Sequence, residues 1–206
     1  MIDNTIEYKS IIMGCDKMNT LAYKNVPNGY NIKYYTSGDE KQWVNIHESI
    51  GEFVGYSTED VDNYFKINFM SDVKKLESGC IFIVEKSTGI YVGCCMAWFE
   101  KKDEMTIPVL HWLAIRDGYE NQGLARVLIT ETMKIFDNLY PEGIRIYLHT
   151  QPGSYKAIKL YHDFGFCMLR QDQYDKAINE YDEALLELKK YMFSDVYSEL
   201  IKTSKD

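Results

Sequence analysis

Residues 111–129 read HWLAIRDGYENQGLARVLI, and this stretch decides the fold. It leaves a strand that spans Ile107–Ile115, crosses a polar loop bearing glycine, and enters a helix. Leu124, Val127, Leu128, Thr132 and Ile135 share one face of that helix. The first turn of a helix has free backbone N–H groups and a partial positive charge, so a diphosphate fits there without many lysines. Gly123 lets the backbone come close to such a ligand, and Ala125 is small for the same reason. The loop has neither the P-loop spacing, Gly-x-x-x-x-Gly-Lys-Ser/Thr, nor the dinucleotide spacing, Gly-x-Gly-x-x-Gly. On these residues alone, a βα loop whose glycine only turns the chain is the alternative reading.

Upstream, YNIKYYT at 30–36 is β-branched and aromatic and predicts a strand. SGDE at 37–40 opens a helix that puts Trp43, Val44, His47 and Ile50 on one face, with His47 partly exposed. A second helix starts at Ser57–Asp60 and buries Val61, Tyr64, Phe65 and Phe69. CIFIVE (80–85), the turn KSTG and IYVGCCMAWFE (90–100) predict a hairpin, with Cys94 and Cys95 on opposite sheet faces. Downstream, Pro141 and Gly143 end the helix of the deciding stretch. IRIYLH (144–149) is a strand, Ser154–Phe164 a helix stopped by Gly165, and FCML (166–169) a last strand. The fold class is therefore α+β, a mixed and mainly antiparallel sheet with helices on both faces. The expected organisation is an N-terminal extension at 1–29, a domain at 30–171, and a helical C-terminal extension at 172–206. In that extension Ile178, Tyr181, Leu185, Leu188 and Met192 step by three and four. Their stripe either docks on the domain or forms an intersubunit contact, as in a homodimer.

Here HWLAIRDGYENQGLARVLI resembles the acetyl-CoA-binding segment of the GNAT N-acetyltransferases. The family's Arg/Gln-x-x-Gly-x-Gly/Ala falls on Glu120, Asn121, Gln122, Gly123, Leu124 and Ala125. Gly123 and Ala125 fit, and Glu120 departs from Arg/Gln. SYKAIKLYHDFGF (154–166) is similar to the family's Asn-x-x-Ala-x-x-Leu-Tyr-x-x-x-Gly-Phe, with Ser154 in place of Asn. The resemblance covers about 140 residues, from Tyr30 to Leu169, and its two motifs lie within 111–166. It implies a GNAT fold and acetyl-CoA as cosubstrate, with no metal. It also implies a small-molecule or peptide amine as acceptor. Main-chain groups of Leu113 and Ile115 would pair with pantetheine, and the loop from Asn121 to Ala125 would hold the pyrophosphate. Arg126, Ser154, Lys156 and Lys159 are the expected polar contacts to the cofactor.

Amine acetylation requires loss of a proton from an ammonium whose pKa is near ~10. His111 is the expected base, since an imidazole titrates near neutral pH. HWLAI is similar to the His-x-Leu-Ala-Val of the serotonin N-acetyltransferases, where a histidine acts through water. Glu100 and Glu104 are rival bases, and a structural strand histidine is the alternative. Tyr161 is the expected general acid, because a tyrosine at that motif position protonates the coenzyme A sulfur in many members. A backbone N–H near Leu113 would meet the oxyanion. His162 lies on a helix face and His149 near the loop at 150–153. Phe53, Tyr56, Phe69, Trp98 and Trp112 are expected to line the acceptor side. The alternative function is a non-catalytic acyl-CoA sensor, kept open by Glu120 and Ser154.

The chain has 206 residues and a net charge of −8. Residues 1–108 carry −5, 109–170 carry +1 and 171–206 carry −4, so the segment placed against an anionic cofactor is the one that is not acidic. The balance argues against a nucleic-acid partner. The longest strongly apolar run, Cys94–Phe99, is far below the ~20 residues that cross a bilayer, so no membrane partner is expected. Five cysteines without zinc spacing, and no secretion signal, imply reduced thiols and a cytoplasmic location.

Overall fold

A computed structural model describes residues 2–102, 104–139, 144–171 and 178–206. Seven strands form one sheet: β1 (Ile11–Cys15), β2 (Tyr30–Tyr34), β3 (Cys80–Glu85), β4 (Tyr91–Lys102), β5 (Met105–Ile115), β6 (Ile146–Thr150) and β7 (Cys167–Met168). Their order is β2-β3-β4-β5-β6-β1-β7. The β2–β3, β3–β4, β1–β6 and β1–β7 pairs are antiparallel, and β5 and β6 are parallel, meeting at Val109 and Tyr147. The helices are α1 (Glu40–Ser49), α2 (Thr58–Phe69), α3 (Val73–Gly79), α4 (Leu124–Leu139), α5 (Tyr155–Asp163), α6 (Tyr181–Tyr191) and α7 (Ser194–Thr203). The expected α+β class and mixed sheet are what the fold has. The turn at Pro141 and Gly143 and the first residues of the tail, 172–177, lie outside the described residues.

The chain divides into two compact units. The first holds Lys24–Trp98 and Leu110–Leu139. Its local signals are those read from the sequence. Ser57 Oγ accepts from Asp60 N–H at 3.2 Å while the Asp60 carboxylate accepts from Ser57 N–H at 3.0 Å, so α2 begins with a reciprocal cap. Asp39, at the start of α1, is buried and accepts from Lys33, Thr36 and Tyr91. Helices α1, α2 and α3 bury Trp43, Ile46, Val61, Phe65, Phe69 and Leu76 against Cys80, Phe82, Cys94 and Met96. Alternation along β4 turns Cys95 the other way, to the face on which Gly93 meets Leu128 of α4. Helices thus cover both faces of this part of the sheet.

The second unit holds Ile2–Tyr23, Phe99–Val109 and Tyr140–Asp206. Residues 1–29, expected as an extension, contribute a strand here. All five residues of β1 are buried, and Ile11 to Cys15 pair in register with Thr150 to Ile146. On its other side Met13 and Gly14 pair with Met168 and Cys167. Gly165 ends α5 at φ +99, as its sequence position predicts, and lets Phe166 N–H reach the Tyr161 carbonyl at 3.1 Å. The tail packs within this unit: α7 lies along α5 and β7, and His162 bonds Thr203 at 2.9 Å. The buried stripe of α6 is Tyr181, Ala184 and Leu188, while Ile178 is exposed.

Because β1 is fully buried between two strands, Ile12→Ala should lower stability by roughly 2–4 kcal/mol. Urea unfolding checks this, and a loss below ~0.5 kcal/mol would mark β1 as peripheral.

Candidate functional site

The first unit gathers the strand end, the glycine loop and an aromatic cluster. Trp112 sits in β5 at φ +52, a left-handed conformation rare for a bulky residue. The kink breaks the alternation expected of a strand. His111 and Trp112, neighbours in sequence, stack with ring centroids 5.2 Å apart and planes 8° apart. Both rings meet Phe69 edge-on, at 6.2 Å and 6.5 Å. His111 is half-buried, and its carbonyl lies 3.7 Å from Cys95 Sγ.

Around Trp112 lie Trp43 at 5.0 Å, His47 at 5.1 Å, Tyr64 at 5.6 Å and Phe53 at 5.8 Å. The residues expected on the acceptor side thus come together: Phe53 meets Tyr56 at 6.3 Å and Phe69 meets Trp98 at 5.1 Å. The sequence reading missed Trp43, Tyr64 and His47 as members. Helical spacing marked Trp43 and Tyr64 as core; Trp43 is fully buried, whereas Tyr64, expected to be buried, is 37% exposed because it stands at the edge of the cluster.

His47 corrects an expectation. It is 1% exposed, not on an exposed helix face. Its Nε2 lies 3.5 Å from Cys94 Sγ, a pairing no sequence spacing could reveal. Burial, with a smaller contribution from nearby His111, lowers its pKa to about 3, so its ring is neutral at pH 7. Cys94 is held well above the usual thiol range by burial, so this pair carries no thiolate. Trp43 Nε1, Trp112 Nε1 and His47 Nδ1 are buried without a hydrogen bond among the described residues.

The loop after β5 turns through three left-handed residues: Gly118 (φ +88), Asn121 (φ +62) and Gly123 (φ +78). Gly123 supplies the first carbonyl of α4, accepting from Val127 N–H at 3.2 Å. α4 therefore begins at Leu124, with its positive end at the loop. A side chain at Gly123 would overlap the Lys24 ammonium. The Glu120 carboxylate accepts from Gly118 N–H at 2.8 Å. Backbone donors of Glu120 and Gly118 hold its pKa below the ordinary carboxylate range. The Gln122 side chain is held by Tyr30, whose hydroxyl donates to its Oε1 at 2.8 Å. Leu124 is buried in the helix face, and Leu113, Ala125 and Arg126 are half-buried. Ile115 is buried, and Arg116 N–H bonds Val92 O at 2.8 Å.

The family model for the Acetyltransferase (GNAT) family matches residues 41–166. The chain belongs to this family. Among solved structures, a GCN5-related N-acetyltransferase from Sphaerobacter thermophilus is similar with a TM-score of 0.60 and 17% identity, over 79% of this chain and 49% of that one. A GNAT-family acetyltransferase from Colwellia psychrerythraea gives a TM-score of 0.56 and 14% identity, over 81% and 55%. A tandem GNAT protein from the clavulanic acid biosynthesis pathway gives 0.58 and 15%, over 80% and 51%. The chain spans about half the length of these structures, and the likeness is one of fold. No curated protein matches the chain.

The second GNAT motif lies in the other unit. Tyr161 is 8% exposed, with its ring 6.1 Å from Phe166 in an edge contact. Ser154 precedes α5 and makes no side-chain cap bond to it. Lys156 is exposed, with Nζ 5.8 Å from the Tyr155 ring centroid, and Lys159 pairs with Asp163 at 2.8 Å. His149 bonds Ser10 at 2.9 Å and Tyr8 at 3.3 Å. Of the rival bases, Glu100 is half-buried and Glu104 exposed. No described helix is long and apolar enough to cross a membrane.

His47 gives a pH signature. An unfolded chain binds its proton below pH 6.5, whereas the folded chain does so only near pH 3. Stability therefore falls as pH falls through that window, by up to ~1.4 kcal/mol per unit from this group. His47→Phe should flatten that part of the curve in urea titrations from pH 7 to 4. An unchanged slope would mean that the ring is not desolvated.

Proposed function

We propose that this chain transfers an acetyl group from acetyl-CoA to a small-molecule or peptide amine by direct attack on the thioester. The observation that carries the reading is the left-handed Gly123, which opens α4 at the end of the loop that follows the strand bearing His111. The chain's own residues fit the cosubstrate: the loop leads into the positive end of α4, its glycine has no side chain to block the helix start, and its carboxylate is turned to Gly118. Acetyl-CoA, when bound, supplies the activated acyl group.

In this mechanism His111 accepts a proton from the ammonium of the acceptor, through water. The neutral ring of His47 nearby adds no competing positive charge. A main-chain N–H near Leu113 stabilises the developing oxyanion. Tyr161 donates a proton to the departing sulfur. Leu113 and Ile115 offer main-chain groups to the pantetheine arm. On the loop the proposed cofactor contacts are Asn121, Gln122, Leu124, Ala125 and Arg126, and in the second motif they are Ser154 and Lys156. The aromatic cluster at Phe53, Tyr56 and Trp112 forms the wall for the body of the acceptor.

Free-thiol release from acetyl-CoA across a panel of amines tests the reading. Amine-dependent release that drops by ~10²-fold or more in His111→Ala supports both the activity and the base. Binding of acetyl-CoA without release by any amine would instead fit a non-catalytic sensor. Tyr161→Phe should lower turnover by at least ~10²-fold while acetyl-CoA affinity changes little. An unchanged rate would remove Tyr161 as the acid.

A further inference from the structure

We propose that Lys24 is a direct ligand of the cofactor diphosphate, delivered onto the glycine loop by the segment that precedes β2. The inference rests on reading residues 118–125 as the acetyl-CoA loop, and it adds a residue that neither GNAT motif contains.

Three observations converge on Lys24. Its backbone is fixed to the helix that the loop opens, because Lys24 N–H donates to Thr130 Oγ1 at 3.0 Å and Thr130 donates in turn to Arg126 O at 2.7 Å. Thr130 is buried, so this anchor is not a loose surface contact. The side chain then runs back along α4 to its first turn. There Nζ, Cε and Cδ all lie over Gly123, within the space that a side chain at this position would take. Lys24 is exposed, so its head is open to a ligand from solvent. Its side-chain acceptor among the described residues is Gln122 O, at 3.4 Å, a long contact for an ammonium.

Electrostatics makes this placement informative. The N-terminus of a 16-residue helix carries positive charge, and a cation beside it is unfavourable on its own. The carboxylate within reach in sequence, Glu120, is engaged by Gly118 N–H and forms no ion pair with Lys24. The Lys24 ammonium and the positive end of α4 therefore meet at Gly123. A diphosphate meets both, through charge-assisted hydrogen bonds to Nζ and to the main chain. An acidic N-terminal half places this cation at the loop, where general surface charge would not have supplied one.

Calorimetric titration with coenzyme A and with dephospho-coenzyme A tests the assignment, since the two share the diphosphate and differ in the ribose phosphate. Lys24→Ala should weaken both by a similar factor, about tenfold or more. Lys24→Arg should restore most of the loss, and Lys74→Ala, on an exposed face of α3, should lose nothing. Unchanged or tighter binding by Lys24→Ala would overturn the assignment, the second result showing that the ammonium only plugs the loop. A loss seen with coenzyme A but not with the dephospho form would overturn it too, by moving Lys24 to the ribose phosphate. If the unaltered protein binds neither compound, the loop reading itself fails and this inference with it.

Discussion

A tryptophan held at φ +52 inside a strand is the constraint on which the site depends. Such a conformation costs on the order of 1–3 kcal/mol and persists only where the surroundings over-determine it. Here they do so through rings. Trp112 is enclosed by Trp43, His47, Phe53, Tyr64 and His111, all with centroids within 6 Å. Each aromatic pair is worth roughly 0.5–1.5 kcal/mol beyond its buried area, so the cluster offsets the strain. The return is geometric. The kink puts two consecutive side chains on one side of β5, and so brings an imidazole to the edge of an apolar wall that alternation would have denied it. Helices α1 and α2 are thus more than a cover for the sheet. Their aromatic faces hold β5 in its unusual shape.

Much of this was legible in the sequence, for reasons that differ by element. The loop and α4 announce themselves because a glycine at a fixed offset precedes a long amphipathic stripe, and both signals are local. The cap of α2 is equally local, resting on Ser57 and Asp60 alone. The hairpin of β3 and β4 shows in β-branched and aromatic runs broken by a turn. The aromatic wall could be named in part, because Phe53, Phe69, Trp98 and Trp112 cluster around elements already placed by the pattern.

What stayed hidden needed the third dimension. The run IIMGC has no alternation to betray a strand, since both of its faces are buried, and a short apolar run does not declare its partners. No propensity argument would assign a left-handed conformation to Trp112. His47 looked like a surface histidine because its helix is amphipathic, yet the covered face is wide enough to take it in. Glu120 seemed to oppose an anionic ligand. Its carboxylate instead turns one oxygen, Oε2, to Gly118 N–H within its own loop. Lys24 lay in a segment with no pattern at all.

The pairing of β1 also sets a timetable for synthesis. Ile12 lies opposite His149, and Met13 opposite Met168. The ribosome releases this apolar strand long before either neighbour exists. At ~5–20 residues per second, it waits on the order of ten seconds with both of its hydrogen-bonding edges unmatched. The part of the chain holding the loop, the aromatic wall and α4 ends at Leu139, ahead of both of these partners, and can collapse around local contacts. Closure of the other part is a non-local event, slow by nature and exposed to rival strands in a crowded cell. A chaperone that shields nascent β1 would thus act on yield rather than on the finished protein's stability.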